Sequence, residues 1–299
     1  TISPASGSVQ NFTTPVRYTV TSEDKAWHRV YAITAREQKA SNIPTTYHFE
    51  KVRIMQNVWQ EFYEEQDSGN ELTWASGNKG FKWAMSEAAT EDYPTTQIDN
   101  GKTGKCVKLE TRLTGDLGNM VGMPIAAGNL FIGSFDMLNA ITNPLSATRF
   151  GTPFYNKPLR LTGYYKYKAG EQFYENGEYT SRKDIFNIYA IFYDGVKYDS
   201  AGKGTDVTLD GNLPNQNYEH SSMVALALVS NPQETEGDEW KFFDIPFDYQ
   251  RYGKKIDEAR LAKGEYKIGI IFASSKDGAT FEGAPGSTLL IDEVELIYE

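Results

Sequence analysis

Pro158-Leu-Arg-Leu-Thr-Gly-Tyr-Tyr-Lys-Tyr-Lys168 is the stretch of sequence that decides the fold. Successive side chains of a β-strand point to opposite faces of its sheet. One face of this stretch is mostly apolar and carries Leu159, Leu161, Gly163, Tyr165 and Tyr167. The other face is polar and carries Arg160, Thr162, Tyr164, Lys166 and Lys168. This alternation predicts a strand of a half-buried antiparallel sheet.

A second run, from Ile185 to Tyr193, alternates in the same way and is the predicted partner of the first. The polar faces of the two runs would together form a flat aromatic surface with hydrogen-bonding groups. Aromatic planes cover the apolar faces of sugar rings, and planar polar side chains fix the orientation of a ligand. The predicted carbohydrate-binding residues on these strands are Arg160, Tyr164, Asn187, Tyr189 and Tyr193.

Short alternating runs separated by turn signals continue through the rest of the chain. Pairs such as Asn100-Gly101 and Asp210-Gly211 supply the positive φ that tight turns require. The predicted strands are residues 47–54, 71–74, 105–111, 126–135, 159–167, 185–193, 222–229, 240–245, 265–273 and 288–298. The only predicted helices are short, residues 58–65 and 257–261. The pattern predicts an all-β protein, a sandwich or jelly roll.

The first 42 residues form a predicted domain of their own. Val16, Tyr18 and Val20 alternate with polar residues, which indicates a hairpin. Two or three strands do not bury a core alone. This segment therefore either packs on the larger domain or is the final part of a sandwich domain that begins before Thr1. Residues 46–299 form the predicted main domain.

The composition is that of an acidic protein rich in aromatic residues. A net charge of −10, spread without runs, argues against nucleic acid or an anionic membrane surface as a partner. The 19 tyrosines and 5 tryptophans exceed what a core needs. No stretch approaches the roughly 20 apolar residues that span a bilayer. Thr1 begins without a signal segment, so an exported form would have lost its leader. The single cysteine, Cys106, is predicted to be a small buried strand residue.

Two carboxylates are predicted to point towards the core. Asp292 is in phase with Leu290 and Val294 in the final strand, and Glu50 is in phase with Val52 in the first strand of the main domain. Such strands are neighbours in many jelly rolls, so the two carboxylates could share a structural Ca²⁺, which takes about six to eight oxygen ligands. The alternative is that backbone N–H groups or an arginine satisfy each carboxylate, because an unpaired buried charge is costly.

Trp83 is the remaining aromatic candidate, because it lies beside the loop of residues 86–94 and could be an exposed platform for a sugar ring. A place in the core is the alternative. Motifs for a serine hydrolase, a zinc protease or a phosphate-binding loop do not occur in the sequence. Glycoside hydrolysis needs only two carboxylates at the right separation, and acidic residues such as Glu171 and Asp184 flank the aromatic strands.

Several segments in order resemble the putative carbohydrate metabolism domain (PCMD) of Bacteroidetes surface proteins. They are Leu72-Thr-Trp-Ala-Ser-Gly-Asn-Lys-Gly80, Ala127-Gly-Asn-Leu-Phe-Ile-Gly-Ser-Phe135, Gly151-Thr-Pro-Phe154, residues 158–167 and Ile291-Asp-Glu-Val-Glu-Leu296. The resemblance covers about residues 46–299. It implies a galactose-binding-like jelly roll, similar to carbohydrate-binding modules, in exported and often lipid-anchored proteins of gut bacteria. The first 40 residues resemble the last strands of the immunoglobulin-like domains that precede this domain. No catalytic residue carries over from the resemblance.

Three functions remain open at this point. The first is non-catalytic binding of a polysaccharide or other glycan at the bacterial surface. The second is glycoside hydrolysis by paired carboxylates in a cleft, one of them with a raised pKa. The third is a structural role, as an adhesin or surface-assembly component, in which the tyrosines contact other surface proteins.

Overall fold

The computed structural model describes residues 1–34, 40–66 and 68–299. The chain divides into two compact units, Thr1–Ala40 and Ser41–Glu299. Among the described residues, no helix is long and apolar enough to cross a membrane.

The first unit is a small antiparallel sheet with the strand order β1-β2-β3. Its strands are β1 (Ile2–Ser3), β2 (Val16–Thr21) and β3 (His28–Ile33). Val16 pairs with Ile33 and Thr21 with His28, so β2 and β3 form the hairpin that the alternation predicts. Every residue of β3 is exposed within this sheet, as expected for so few strands.

The regular structure of the second unit consists mostly of β-strands. These are β4 (Thr46–Tyr47), β5 (Val52–Met55), β6 (Trp59–Glu65), β7 (Glu71–Thr73), β8 (Thr95–Asp99), β9 (Lys105–Glu110), β10 (Arg112–Leu113), β11 (Ile125–Ala126), β12 (Asn129–Phe131), β13 (Gly133–Phe135), β14 (Thr148–Phe150), β15 (Thr152–Pro153), β16 (Pro158–Lys168), β17 (Phe173–Glu175), β18 (Glu178–Thr180), β19 (Asn187–Asp194), β20 (Val196–Tyr198), β21 (Gly204–Asp206), β22 (Leu209–Asp210), β23 (Met223–Leu228), β24 (Lys241–Pro246), β25 (Tyr266–Ala273) and β26 (Thr288–Tyr298). The helices are α1 (Asn78–Ala84), α2 (Gly115–Met120), α3 (Met137–Thr142) and α4 (Glu258–Leu261).

Two antiparallel sheets form the body of this unit. The six-stranded sheet has the order β24-β16-β26-β9-β8, with β4 also paired to β26. The five-stranded sheet has the order β12-β25-β19-β23, with β15 also paired to β25. Their inner faces pack together, and the rings of Tyr165 and Phe186 meet across the core with centroids 4.8 Å apart. The all-β sandwich is therefore confirmed.

The predicted pairing of the two central strands is wrong. β16 pairs with β24 and β26, whereas β19 pairs with β23 and β25. The apolar faces of β16 and β19 meet across the core of the sandwich instead. Their polar faces consequently lie on opposite outer surfaces of the domain and do not form one continuous surface.

The helix predicted over residues 58–65 is also wrong, because Trp59–Glu65 is strand β6. A tight turn at Gln56-Asn57, with φ of 51° and 61°, folds β6 back on β5. Paired residues with positive φ favour a two-residue hairpin turn, which commits the following segment to a strand. The other short helix is confirmed as α4, and the side chain of Asp257 caps its first turn.

A buried carboxylate ties distant loops of the domain together. Asp184 Oδ2 accepts hydrogen bonds from Ser275 Oγ (2.5 Å), Ser287 Oγ (2.7 Å) and the backbone N–H of Ala284 (2.8 Å). Oδ1 accepts the N–H of Ile185 at 2.9 Å. Burial raises the pKa of Asp184, and these four donors offset part of that effect. The acidic residue flanking an aromatic strand is thus part of the structural core.

We expect Asp184→Ala to lower the free energy of unfolding by about 3 kcal/mol or more, because it removes the acceptor that two buried hydroxyls and a buried N–H share. Urea denaturation followed by tryptophan fluorescence measures the change. Asp238→Ala removes a fully exposed carboxylate and is the matched control. A loss for Asp184→Ala no larger than that of the control would contradict this role.

Candidate functional site

A β-bulge in β26 decides which way the carboxylate of Asp292 points. Thr162 of β16 lies opposite Glu295, but Tyr164 lies opposite Asp292, so β26 has one extra residue in this interval. Glu293 has a φ of 48°, as bulges often require. Leu289 and Ile291 point into the core before the bulge, and Val294 and Leu296 do so after it. The prediction that Asp292 shares the inward face with Val294 is wrong, because the bulge reverses the alternation between them.

Asp292 lies on the outer face of the six-stranded sheet and is nevertheless fully buried. The turn between β8 and β9 covers it, and Oδ2 accepts the N–H of Thr103 at 3.0 Å. Oδ1 accepts the N–H of Glu293 at 2.8 Å. Burial raises the pKa of Asp292 to about 6, and the nearby charge of Glu293 adds to the increase. A Cβ atom at Gly101 would lie 2.7 Å from Oδ2, so only glycine fits against the carboxylate.

Glu50 holds the other end of the same turn. Its Oε1 accepts the backbone N–H of Lys105 at 2.8 Å. A Cβ atom at Gly104, where φ is 61°, would overlap this oxygen. Glu50 and Asp292 are thus both satisfied by backbone N–H groups, which was the alternative to a shared metal ion.

Among residues 1–34, 40–66 and 68–299, no group of three or more His, Cys, Asp or Glu side chains could hold a metal ion. Ca²⁺ binding by Glu50 and Asp292 stays a prediction.

Cys106 is fully buried beside the β8–β9 turn, and burial together with the Asp292 carboxylate raises the pKa of its thiol to about 12. A thiol in such a place is inert.

The outer face of the six-stranded sheet carries exposed aromatic rings, which we call the aromatic platform and define as Tyr164, Trp240 and Phe242. Tyr164 of β16 pairs across the strands with Phe242 of β24, and their ring centroids are 5.1 Å apart. Phe242 is 53% exposed, and the other two rings are half-buried. The platform therefore offers planar apolar surface to solvent at the β24 edge of the sheet.

Basic and acidic side chains surround the aromatic platform. Lys102 Nζ lies 4.8 Å from the ring centroid of Tyr164, and Lys166 Nζ lies 5.1 Å from that of Trp240. The predicted residue Arg160 is on the same face, and its Nε contacts Asp244 Oδ1 at 2.6 Å. Both partners of this ion pair are partly exposed, so they remain accessible to a ligand hydroxyl.

The predicted residues on β19 lie in the interior, contrary to their assignment to an open aromatic face. Tyr189 and Tyr193 are 2% and 0% exposed, respectively. A second apolar cluster covers the outer face of the five-stranded sheet, and it consists of Phe131, Phe150, Tyr189, Ile191, Tyr193, Leu209, Leu213, Tyr218, Met223, Leu226 and Ile271. The Tyr193 hydroxyl donates to the carbonyl of Phe150 at 2.7 Å, and Asn187 Nδ2 donates to the Tyr218 hydroxyl at 2.9 Å. Segments between β20 and β23 supply part of this cover.

A cavity of about 170 Å³ lies between the outer face of the five-stranded sheet and the helices α1, α2 and α3. We call it the apolar cavity. It brings together three of the predicted residues, because Trp83, Asn187 and Tyr189 all line it. Trp83 is 39% exposed on α1, where it forms part of the wall. Its other lining residues are mainly aromatic or aliphatic, among them Phe81, Phe131, Phe135, Ile141 and Phe150.

The described lining of the apolar cavity lacks the two carboxylates that glycoside hydrolysis would need. Among its described lining residues, Lys276 is the only charged side chain, and no Asp, Glu or His is present. Glycoside hydrolysis needs an acid and a second carboxylate on either side of the bond. Asp292 has the raised pKa of a general acid, but it is buried under the β8–β9 turn.

The sequence reasoning missed Phe242 and Lys102 at the aromatic platform. Trp240, Phe242 and Asp244 alternate with Lys241 and Phe243, and this spacing would have placed all three on one face of β24. For Lys102 the sequence holds no such signal, because the turn reaches Tyr164 only through the long-range contacts of Glu50 and Asp292.

Comparison with known proteins places the chain in a carbohydrate-related family. The family model described as "Putative carbohydrate metabolism domain" (PCMD) matches residues 48–297. The chain belongs to this family. A second model, described as "SGBP, N-terminal", matches residues 1–35. No curated protein matches the chain.

Two solved structures from the genus Bacteroides are similar to this chain, and both proteins are described as putative glycoside hydrolases. The one from Bacteroides vulgatus ATCC 8482 is 50% identical, with a TM-score of 0.80 over 87% of this chain and 100% of the other. The one from Bacteroides thetaiotaomicron VPI-5482 is 45% identical, with a TM-score of 0.77 over 100% of this chain and 83% of the other.

We expect Asp292 to make the main domain less stable as the pH rises from about 4 to 6.5. Its pKa is about 6 in the folded protein and 3.8 as the unperturbed value, so the folded state binds the proton more tightly. The resulting stability is fully present below the unfolded pKa and is lost as the pH rises through the folded pKa, by up to about 3 kcal/mol.

Urea denaturation at a series of pH values measures this effect in the wild type and in Asp292→Asn, which should show a flatter profile. Asp244→Asn, which removes a partly exposed carboxylate on the same face, serves as the control. If Asp292→Asn keeps the full pH dependence of the wild type, the assignment to Asp292 is wrong.

Proposed function

We propose that this protein binds glycans without hydrolysing them, and that the aromatic platform is where sugar rings stack. The observation that carries the proposal is the exposed cross-strand pair of Tyr164 and Phe242, with Trp240 beside it, on an otherwise charged sheet face. A cross-strand aromatic pair also stabilises a sheet. Sheet stability alone, however, does not require the ring of Phe242 to be more than half exposed.

The surroundings of the aromatic platform suit a polyhydroxylated ligand. Sugar rings present apolar C–H faces that cover an aromatic plane, while their hydroxyls need donors and acceptors at the edge. Lys102 and Lys166 can donate, and the Arg160–Asp244 pair can both donate and accept. Membership in a carbohydrate-related family supports the same ligand class.

We also propose that the protein acts at the cell surface of a Bacteroidetes bacterium, held there by a lipid anchor attached before Thr1. The two similar solved structures come from Bacteroides, and the first 35 residues match the SGBP N-terminal model. A glycan-binding surface is useful to a bacterium where polysaccharides arrive from outside.

Tyr164→Ala and Phe242→Ala should each weaken glycan binding about tenfold or more, because each removes stacking area at the centre of the platform. A glycan array with purified protein identifies a ligand, and isothermal titration then measures its Kd for each variant. Tyr179→Ala removes an exposed tyrosine outside the platform and is the control. Equal affinity of all the variants would contradict the location of the site.

Repeating the array after calcium chelation tests the predicted Ca²⁺ site at Glu50 and Asp292, because loss of glycan binding would support it.

Glycoside hydrolysis is the second candidate, because both similar structures are described as putative glycoside hydrolases. Reducing-sugar release from any glycan that binds separates the two functions. On the binding proposal no reducing ends accumulate, because the described lining of the apolar cavity offers no carboxylate and Asp292 is buried. Steady release that a surface variant such as Asp244→Asn abolishes would favour hydrolysis at the platform.

A further inference from the structure

The apolar cavity is unlike a sugar site. Its lining combines aromatic rings from the sheet, such as Phe131 and Phe150, with Trp83 of α1 and Ile141 of α3. Protein interiors are normally packed as densely as organic crystals. The volume of this cavity is about 170 Å³. It is similar to that of an apolar cavity of about 150 Å³ engineered in another protein, which contains no water and binds benzene. The size and the chemistry of the lining both suit a single aromatic ring.

Several polar residues of the apolar cavity lie close together near the end of β25. Asn187 begins β19 and pairs with Ala273, the last residue of β25, and both residues line the cavity. Ser275 and Lys276, two and three residues after the end of β25, line it as well. The Ser275 hydroxyl is engaged with Thr111 and Asp184, and Asn187 is engaged with Tyr218. This leaves the ammonium group of Lys276, which is exposed and makes no ion pair within the part of the chain that the structure describes.

Large apolar side chains at the mouth of the apolar cavity are exposed to solvent. Ile141 and Val121 are 47% and 39% exposed and belong to the lining. Leu138 and Met120 stand beside them on α3 and α2, and each is more than 80% exposed. Large apolar side chains exposed together mark a binding region more often than scattered ones do. A ligand that enters here crosses an apolar rim before its ring reaches the interior.

We propose that the apolar cavity is a second binding site, separate from the aromatic platform, and that it takes a small aromatic carboxylic acid. The aromatic ring of the ligand lies among Phe131, Phe150 and Trp83. Its carboxylate reaches the ammonium of Lys276 near the end of β25. With one positive charge and no negative charge in the lining, the cavity favours an anionic ligand over a neutral or cationic one of the same shape.

Phenylacetate is the probe that tests this site, with toluene as the uncharged analogue and glucose as the polar control. Isothermal titration should show saturable binding of phenylacetate to the wild type. Lys276→Gln should weaken it about tenfold, the loss of one ion pair. Lys79→Gln removes an equal charge from α1 outside the lining and should leave the Kd unchanged.

Ala140→Phe fills the apolar cavity from α3 and should abolish phenylacetate binding while the Tm stays equal or rises. Ile54→Ala removes an exposed apolar side chain of β5 that does not line the cavity, and it should bind phenylacetate normally. Should Ala140→Phe fail to fold, wild-type NMR decides the question. Phenylacetate must then shift the indole N–H signal of Trp83 and leave that of Trp240 in place.

Three results would overturn the proposal. The first is the absence of saturable phenylacetate binding, or binding that Ala140→Phe retains. The second is toluene binding as tightly as phenylacetate, which would remove Lys276 from the site. The third is a concentration-dependent dimer in sedimentation velocity that dissociates in Ala140→Phe, because the apolar cavity would then receive a side chain from a second copy of the chain.

Discussion

The bulge at Glu293 is the constraint on which the rest of the six-stranded sheet depends. β26 is the most connected strand of the sheet, since β16, β9 and β4 all pair with it. One extra residue in this strand keeps the core contacts of Leu289 and Leu296 on the same side while it turns Asp292 outward. The outward carboxylate then fixes the β8–β9 turn, and that turn places Lys102 over the ring of Tyr164. The bulge at Glu293 thus affects the position of Lys102 on the candidate glycan surface, through the hydrogen bond from the Thr103 N–H to Asp292.

The two sheets of the sandwich treat their outer faces differently, and this difference separates two kinds of binding chemistry. The outer face of the six-stranded sheet is open near its β24 edge, where rings and charges face water together. The outer face of the five-stranded sheet is roofed by loops and three short helices, so its tyrosines serve a second core and the margin of a cavity. Stacking on an open plane suits a large, solvated polymer. Enclosure suits a small molecule that leaves water behind.

Most strands of the sandwich could be predicted from the sequence, because each carries its own signal, either a period-two alternation or a short apolar run bounded by turn residues. The runs around Leu161, Ile191 and Leu226 are examples, and they became β16, β19 and β23. Which strands pair is decided by contacts far apart in the chain, so the partner of β16 was wrong. The sheet face predicted for Asp292 was wrong for a related reason. The alternation of apolar and polar residues does not reveal a bulge, which here depends on the positive φ of the single residue Glu293. Tyr164 and Arg160 lie on the outward face that the alternation predicts, whereas Trp83 lines the apolar cavity. The cover over Tyr189 was not predicted, because part of it comes from segments without regular structure.

The position of β26 in the chain has a consequence for how the protein is made. The six-stranded sheet needs residues 288–298 as its most connected strand, and the five-stranded sheet needs β25, which ends at Ala273. The carboxylate of Asp184 likewise has no donors from Ser275, Ala284 and Ser287 until those residues have been synthesised. A ribosome-bound chain that lacks these residues exposes unpaired strand edges and apolar faces. The main domain can therefore close only after its final strand has emerged from the ribosome.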